Sequence, residues 1–228
     1  MTVVGLRERK KRRTRATIVE VAAGLFAAQG YEATTVVQIA QEAEIAESTL
    51  FKYFPSKVDV VFSLADAVTE SAKERLLGRA ESESASEALV AWIAADLPAV
   101  EAPYVELLRN YQAVVAGDAE LRREARLRLA LLEDVFATAF ARDLGEPTES
   151  LRVRVLAAIA LRGMTDAWRS WYEHHAGDRE VDLRDACAVK AAHVERVLEE
   201  GAAAIEVLVS ARELDDGGAV AGEAALLP

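Results

Sequence analysis

The chain has 228 residues, 52% of them hydrophobic and only five of them proline, with a net charge of −11 from 27 basic and 38 acidic side chains. That length buries a sizeable core in one or two domains, and a composition rich in Ala and Leu points to an all-α globule. No apolar run reaches the roughly 20 residues that span a bilayer, the basic N-terminus lacks the apolar stretch of a secretory signal, and a lone Cys187 excludes an intramolecular disulfide, so a cytoplasmic protein without membrane contact is expected.

Residues 1–15 concentrate Arg7, Arg9, Lys10, Lys11, Arg12, Arg13 and Arg15 against Glu8. Such a run is expected to be disordered in isolation. It serves either as a solubilising tail or, beside a DNA-reading element, as an arm that brings Arg12 and Arg13 to phosphates or a minor groove. From Thr14, the spacing of Ile18, Ala22, Leu25 and Phe26 predicts a helix to about Gln29, stopped by Gly30.

Thr35-Val36-Val37-Gln38 reads as a capping box opening a short helix, with Val36, Ile39, Ala40 and Ala43 on its inner face. Ala43-Glu44-Ile45 makes a turn, and Glu47 to Phe54 forms a second short helix with Leu50 and Phe54 inward. Pro55 ends it, and Ser56 caps the next. Two short helices in this arrangement form a helix-turn-helix, whose second helix lies in the DNA major groove. Ser48, Thr49 and Lys52 are then placed for base edges. Thr35 and Lys57, both at helix N-termini, and Tyr53 are placed for phosphates.

Leu25-Phe26-Ala27-Ala28-Gln29-Gly30-Tyr31, Thr34-Thr35, Ile39-Ala40, Thr49-Leu50-Phe51 and Tyr53-Phe54-Pro55-Ser56-Lys57 occur in one ordered set. Over residues 14–60 this set resembles the DNA-binding domain of TetR-family transcriptional regulators. Two positions depart from the family pattern: Glu44 stands where a turn glycine is usual, and Ala46 where a serine cap is usual. The resemblance implies an N-terminal three-helix head and a C-terminal helical bundle, about nine helices in total. Residues 1–56 would bind double-stranded operator DNA, residues 57–212 would sense and dimerise, and residues 213–228 would be a flexible tail. It further implies a homodimeric repressor released by a small apolar or aromatic effector, with no cofactor.

Charge follows the same division. Residues 1–60 carry nine basic and seven acidic side chains, a net of +2, which leaves −13 for the remainder. A basic head on an acidic body orients itself on DNA by repulsion as well as attraction.

One connecting helix is expected from Ser56 to about Gly78, and residues 80–86 form a polar loop. A helix from Glu87 ends at Pro98, another starts near Pro103, and a long one covers 118–143. Two long helices, about 148–175 and 183–211, complete the body. Their stripes carry Ala160, Gly163, Ala191 and Gly201, small residues that admit a close neighbour. The resemblance makes this pair the dimer interface.

Catalytic and metal-binding patterns are missing, so a small helical enzyme is disfavoured. His174 and His175 are adjacent and point about 100° apart on a helix, too divergent to share a metal. Cys187 reads as a core residue rather than a redox thiol. Trp92, Tyr104, Tyr111, Trp168, Trp171 and Tyr172, with Arg109, are candidates to line an effector pocket between bundle helices. Control of the same fold by a protein partner is the alternative.

Overall fold

Residues 5–175 and 182–223 are described by a computed structural model, apart from the side chains of residues 6, 8, 106, 109, 172, 174, 175 and 207–223. Every regular element among them is helical, and nine of the helices are seven residues or longer.

Helix α1 (Leu6–Gln29) is longer at its N-terminus than its apolar pattern predicts. The Arg/Lys run continues the helix because long unbranched side chains lose little freedom there and no Gly or Pro interrupts residues 6–23. Arg12 and Arg13 therefore sit exposed on a helix instead of a disordered arm. Helices α2 (Val36–Glu42) and α3 (Glu47–Tyr53) pack against α1 and each other around Ile18, Ala22, Phe26, Ile39, Ala40, Leu50 and Phe54, all buried.

The expected single connecting helix is two: α4 (Lys57–Val61) and α5 (Ser63–Leu77), parted at Phe62. The buried Ser63 hydroxyl donates to the Val60 carbonyl at 2.8 Å, offering the backbone a local alternative to the helical ladder. Helix α4 packs on α1, whereas α5 packs on the body.

Pro98 does not end a helix as its sequence position predicts. Helix α6 (Ala85–Ala91), capped by Ser84 and Glu87, widens into a π-turn over Trp92–Asp96, and Pro98 then falls in the first turn of α7 (Leu97–Glu101), where a missing N–H costs nothing. A 3₁₀ turn over Ala102–Tyr104 absorbs Pro103 and leads into α8 (Val105–Ala116), which lies along α1 and joins head to body. Helix α9 (Ala119–Leu144) is capped by Asp118 and stopped by Gly145 at φ 65°. Helices α10 (Leu151–His175) and α11 (Leu183–Glu223) form the most extensive pair in the chain. Helix α11 runs past the expected end near 211 and so into the expected tail of residues 213–228.

Arg79 ties three elements together. Its guanidinium, almost fully buried, donates to the Leu76, Glu83 and Ala139 carbonyls and pairs with Asp143, whose other oxygen accepts from Ala85 N–H. Gly163 and Gly201 are packed inside the α10–α11 pair of one chain. A Cβ at Gly163 would lie 2.7 Å from Val197 Cγ2, and one at Gly201 2.5 Å from Ile159 Cδ1. The close approach that these small residues permit is intramolecular.

Candidate nucleic-acid interface and ligand cavity

The reading head is held by short-range caps and long-range cations. Thr35 Oγ1 accepts from Gln38 N–H at 3.2 Å while Thr35 N–H donates to Gln38 Oε1 at 2.8 Å, closing the capping box of α2. Glu44 takes the left-handed turn at φ 54°, a cost of about 1–2 kcal/mol for a residue with a Cβ. Ala46 supplies no side-chain cap to α3. Leu50 and Phe54 anchor α3 in the core, so Ser48, Phe51 and Lys52 are turned outward, with Thr49 and Tyr53 half-buried beside them. Arg15 Nη1 donates to the Tyr53 carbonyl at 3.2 Å and its guanidinium lies 4.2 Å from the Phe54 ring centroid, fixing the C-terminal end of α3 to α1. Lys57 Nζ donates to the Tyr31 and Thr34 carbonyls at 2.7 and 2.9 Å and sits over the Tyr31 ring. Burial lowers its pKa. Two of its three donors are thereby spent inside the head.

A cavity of about 340 Å³ opens in the body between α5, α7, α8, α9, α10 and α11. Leu64, Val68, Leu97, Leu108, Leu132 and Met164 give it apolar walls. Tyr111 and Trp168 also face it, and Trp171 stacks on Trp168 outside it at 5.7 Å. Burial pushes the Tyr111 phenol up to about 12, so it is neutral at pH 7.

The cavity wall includes an ion pair that sequence patterns do not reveal. Lys190 Nζ, on α11, lies 2.7 Å from Glu101 Oε1, on α7, and 4.5 Å from the Trp168 ring centroid. Both charged groups are buried, Lys190 to 2% exposure. The Cys187 thiol donates to Glu101 Oε2 at 3.5 Å, and burial pushes it up to about 12, far from a reactive thiolate. On the opposite wall Arg128 pairs with Glu124, lies 3.4 Å from Asp66 and 3.8 Å from Asp59, and rests over the Phe62 ring. Burial raises the Asp66 pKa, and Arg128 opposes that shift.

Residues 18–64 match the family model for bacterial regulatory proteins of the tetR family. Residues 18–64 are thus a TetR-type DNA-binding domain. The chain is 48% identical over 67 residues to the HTH-type transcriptional regulator TcmR of Streptomyces glaucescens, a match spanning 29% of this chain and 30% of TcmR. It is 29% identical over 201 residues to the HTH-type transcriptional repressor KstR of Mycobacterium tuberculosis, covering 81% of this chain and 80% of KstR. Among solved structures, FadR of Bacillus subtilis in complex with stearoyl-CoA superposes with a TM-score of 0.55 at 24% identity, over 80% of this chain and 96% of that one, which establishes the shared fold. The TetR family is one of transcriptional regulators, not enzymes.

Within the body the aromatic candidates separate. Tyr111 and Trp168 face the cavity. Trp92 is fully buried elsewhere, its indole N–H donating to Ser71 Oγ at 3.0 Å, and Tyr104 is buried on the seam with α1. The side chains of Arg109, Tyr172, His174 and His175 lie outside the described residues. In the head, Ser48, Thr49, Lys52 and Tyr53 share α3 with Phe51, which is 48% exposed and which an inward/outward pattern alone does not single out.

Proposed function

We propose that this protein is a homodimeric transcriptional repressor that binds operator DNA through its head and releases it when a small molecule fills the body cavity. The observation that carries this reading is helix α3: two apolar anchors, Leu50 and Phe54, hold it in the head while Ser48, Phe51 and Lys52 remain exposed on a TetR-type domain. Ser48, Thr49 and Lys52 read base edges, and Phe51 suits a thymine methyl. Thr35, Tyr53, Arg12, Arg13 and the remaining donor of Lys57 engage phosphates.

Repression accords with the name of KstR, which aligns along most of the chain. Ligand control accords with the stearoyl-CoA held by FadR on the same fold. A helix-turn-helix reads two half-sites about 34–36 Å apart, so a two-fold partner is required, and α10 and α11 are the elements to supply it.

The test is a gel shift with DNA from upstream of the protein's own gene, run with wild type and Lys52→Ala, alongside sedimentation. A dimer that shifts the DNA specifically, and loses affinity in the variant, supports the reading. A monomer, or a shift insensitive to sequence, overturns it.

A further inference from the structure

The buried Lys190–Glu101 pair demands a reason. Removing two charges from water is expensive, and a pair of this kind is often replaceable by apolar residues without loss of stability. Here it links α7 to α11 across 89 positions of sequence and lies in the wall of an otherwise apolar cavity. Its chemistry is bifunctional. Lys190 has three N–H donors, of which one is spent on Glu101 and one side is covered by the Trp168 face. Glu101 is an acceptor with lone pairs beyond those used by Lys190 and Cys187.

Resting on the proposed ligand-sensing function, we infer that the cavity takes a compact, uncharged, apolar-bodied ligand bearing a hydroxyl group, and that Lys190 and Glu101 anchor that hydroxyl together. The hydroxyl oxygen accepts from Lys190 Nζ and its proton is donated to the Glu101 carboxylate. A hydrocarbon leaves both groups without this partner. A carboxylate is refused for a different reason. The described lining holds two cations, and the charge of each is already offset by carboxylates: Lys190 by Glu101, and Arg128 by Glu124 with Asp66 and Asp59 nearby, although Arg128 Nε itself makes no hydrogen bond. An anion would enter beside Glu101 with no free positive charge to offset its desolvation. The volume of about 340 Å³ lies at the small end of ligand cavities, which selects a compact body.

Isothermal titration calorimetry of the full chain with 2-naphthol, naphthalene and 2-naphthoate tests this on one ring system. The expected result is that 2-naphthol binds about tenfold or more tighter than either of the others, the increment of a hydrogen bond to a charged group. In Lys190→Met/Glu101→Leu, which exchanges the pair for apolar side chains and leaves no lone buried charge, the preference of 2-naphthol over naphthalene falls to about twofold or less. Circular dichroism confirms that this variant is folded; if it is not, Lys190→Leu/Glu101→Met, which also removes both polar groups and leaves no lone charge, is titrated in its place, with the same loss of preference expected. Equal binding of 2-naphthol and naphthalene to wild type overturns the anchor while leaving the cavity a ligand site. A preference unchanged in the variants, or tighter binding of 2-naphthoate, also overturns it. Failure of all three probes to bind overturns the ligand-sensing reading itself, and the anchor with it.

Discussion

Phe62 stands edge-on to Tyr111, their ring centroids 6.2 Å apart and their planes at 84°. One ring marks the break between α4 and α5, and the other faces the cavity. Arg128 lies over the Phe62 ring and reaches Asp59 on α4 and Asp66 on α5. A ligand that moves Tyr111 or Arg128 therefore acts directly on the joint that carries the head. Phe62→Leu keeps an apolar side chain at the joint but removes an aromatic contact of about 0.5–1.5 kcal/mol. Operator affinity of the unliganded variant is expected to stay within about threefold of wild type, whereas the loss of affinity on adding saturating 2-naphthol, typically about 1–3 kcal/mol of coupling, falls by about half or more. Fluorescence anisotropy of labelled operator measures both. Reciprocity supplies a second check, because saturating operator should weaken 2-naphthol binding by the same factor.

The two departures from the family pattern lead to a stability prediction. Glu44 is strained at φ 54° and Ala46 leaves α3 without a side-chain cap. Glu44→Gly is expected to stabilise the protein by about 1 kcal/mol, and Ala46→Ser by about 0.5–2 kcal/mol. Urea denaturation reads both. A destabilised Glu44→Gly would mean that the Glu44 side chain makes up for its backbone strain.

What could be read from the chain and what could not divides by range. Thr35 with Gln38, Ser56 with Asp59, Asp118 with Leu121 and Gly145 are contacts or conformations of neighbouring residues, so their spacing in the sequence reveals them. The contacts that set the site are long-range. Arg15 meets Tyr53 across 38 positions, Lys57 meets Tyr31 across 26, and Lys190 meets Glu101 across 89. No periodicity encodes such pairs. The basic run at Arg12 and Arg13 is helical for another reason: charge runs favour disorder in isolation, but a helix already nucleated downstream extends cheaply through Arg and Lys.

Gly163 and Gly201 look equivalent in sequence and are not equivalent in space. The atom facing Gly201 is Ile159 Cδ1, the tip of a side chain able to rotate away, while Gly163 faces the stiff branched Val197 and the Val194 backbone at 3.6 Å. Gly163→Ala is expected to destabilise by about 1–3 kcal/mol through overpacking. Gly201→Ala should be near neutral, because the helix propensity gained, about 1 kcal/mol, offsets the shift of Ile159. Equal destabilisation of both in urea would show that the α10–α11 spacing is set elsewhere.

Arg79 has almost no contact with solvent and its donors are spent on three carbonyls and Asp143. Arg79→Ala leaves those carbonyls and the Asp143 carboxylate without their partner. The expected loss is about 3–5 kcal/mol in thermal or urea unfolding. Arg79→Lys restores charge but not the fork, so it should recover less than half of that loss.

The N-cap of α9 gives a pH prediction with a definite sign. Asp118 accepts the Leu121 N–H at 2.8 Å, and this bond is the main reason its carboxyl lies below the usual carboxylate range; Glu32 and Arg122 push the same way, and burial opposes them. A carboxyl held lower in the folded protein than in the unfolded chain binds its proton first on unfolding. Its stabilisation is therefore complete above the unfolded value near 4 and is lost as pH falls through the lower folded value. Glu87, lowered by its bonds from the Ser84 backbone N–H and hydroxyl, contributes with the same sign at α6. Asp118→Asn keeps an oxygen acceptor at the cap, a good N-cap residue, but cannot titrate. Urea midpoints measured from pH 6 down to about pH 2.5 should fall less steeply for the variant than for wild type below about pH 4, while the two proteins remain close at pH 7. Parallel curves would assign the acid sensitivity to other carboxylates and remove Asp118 from the account.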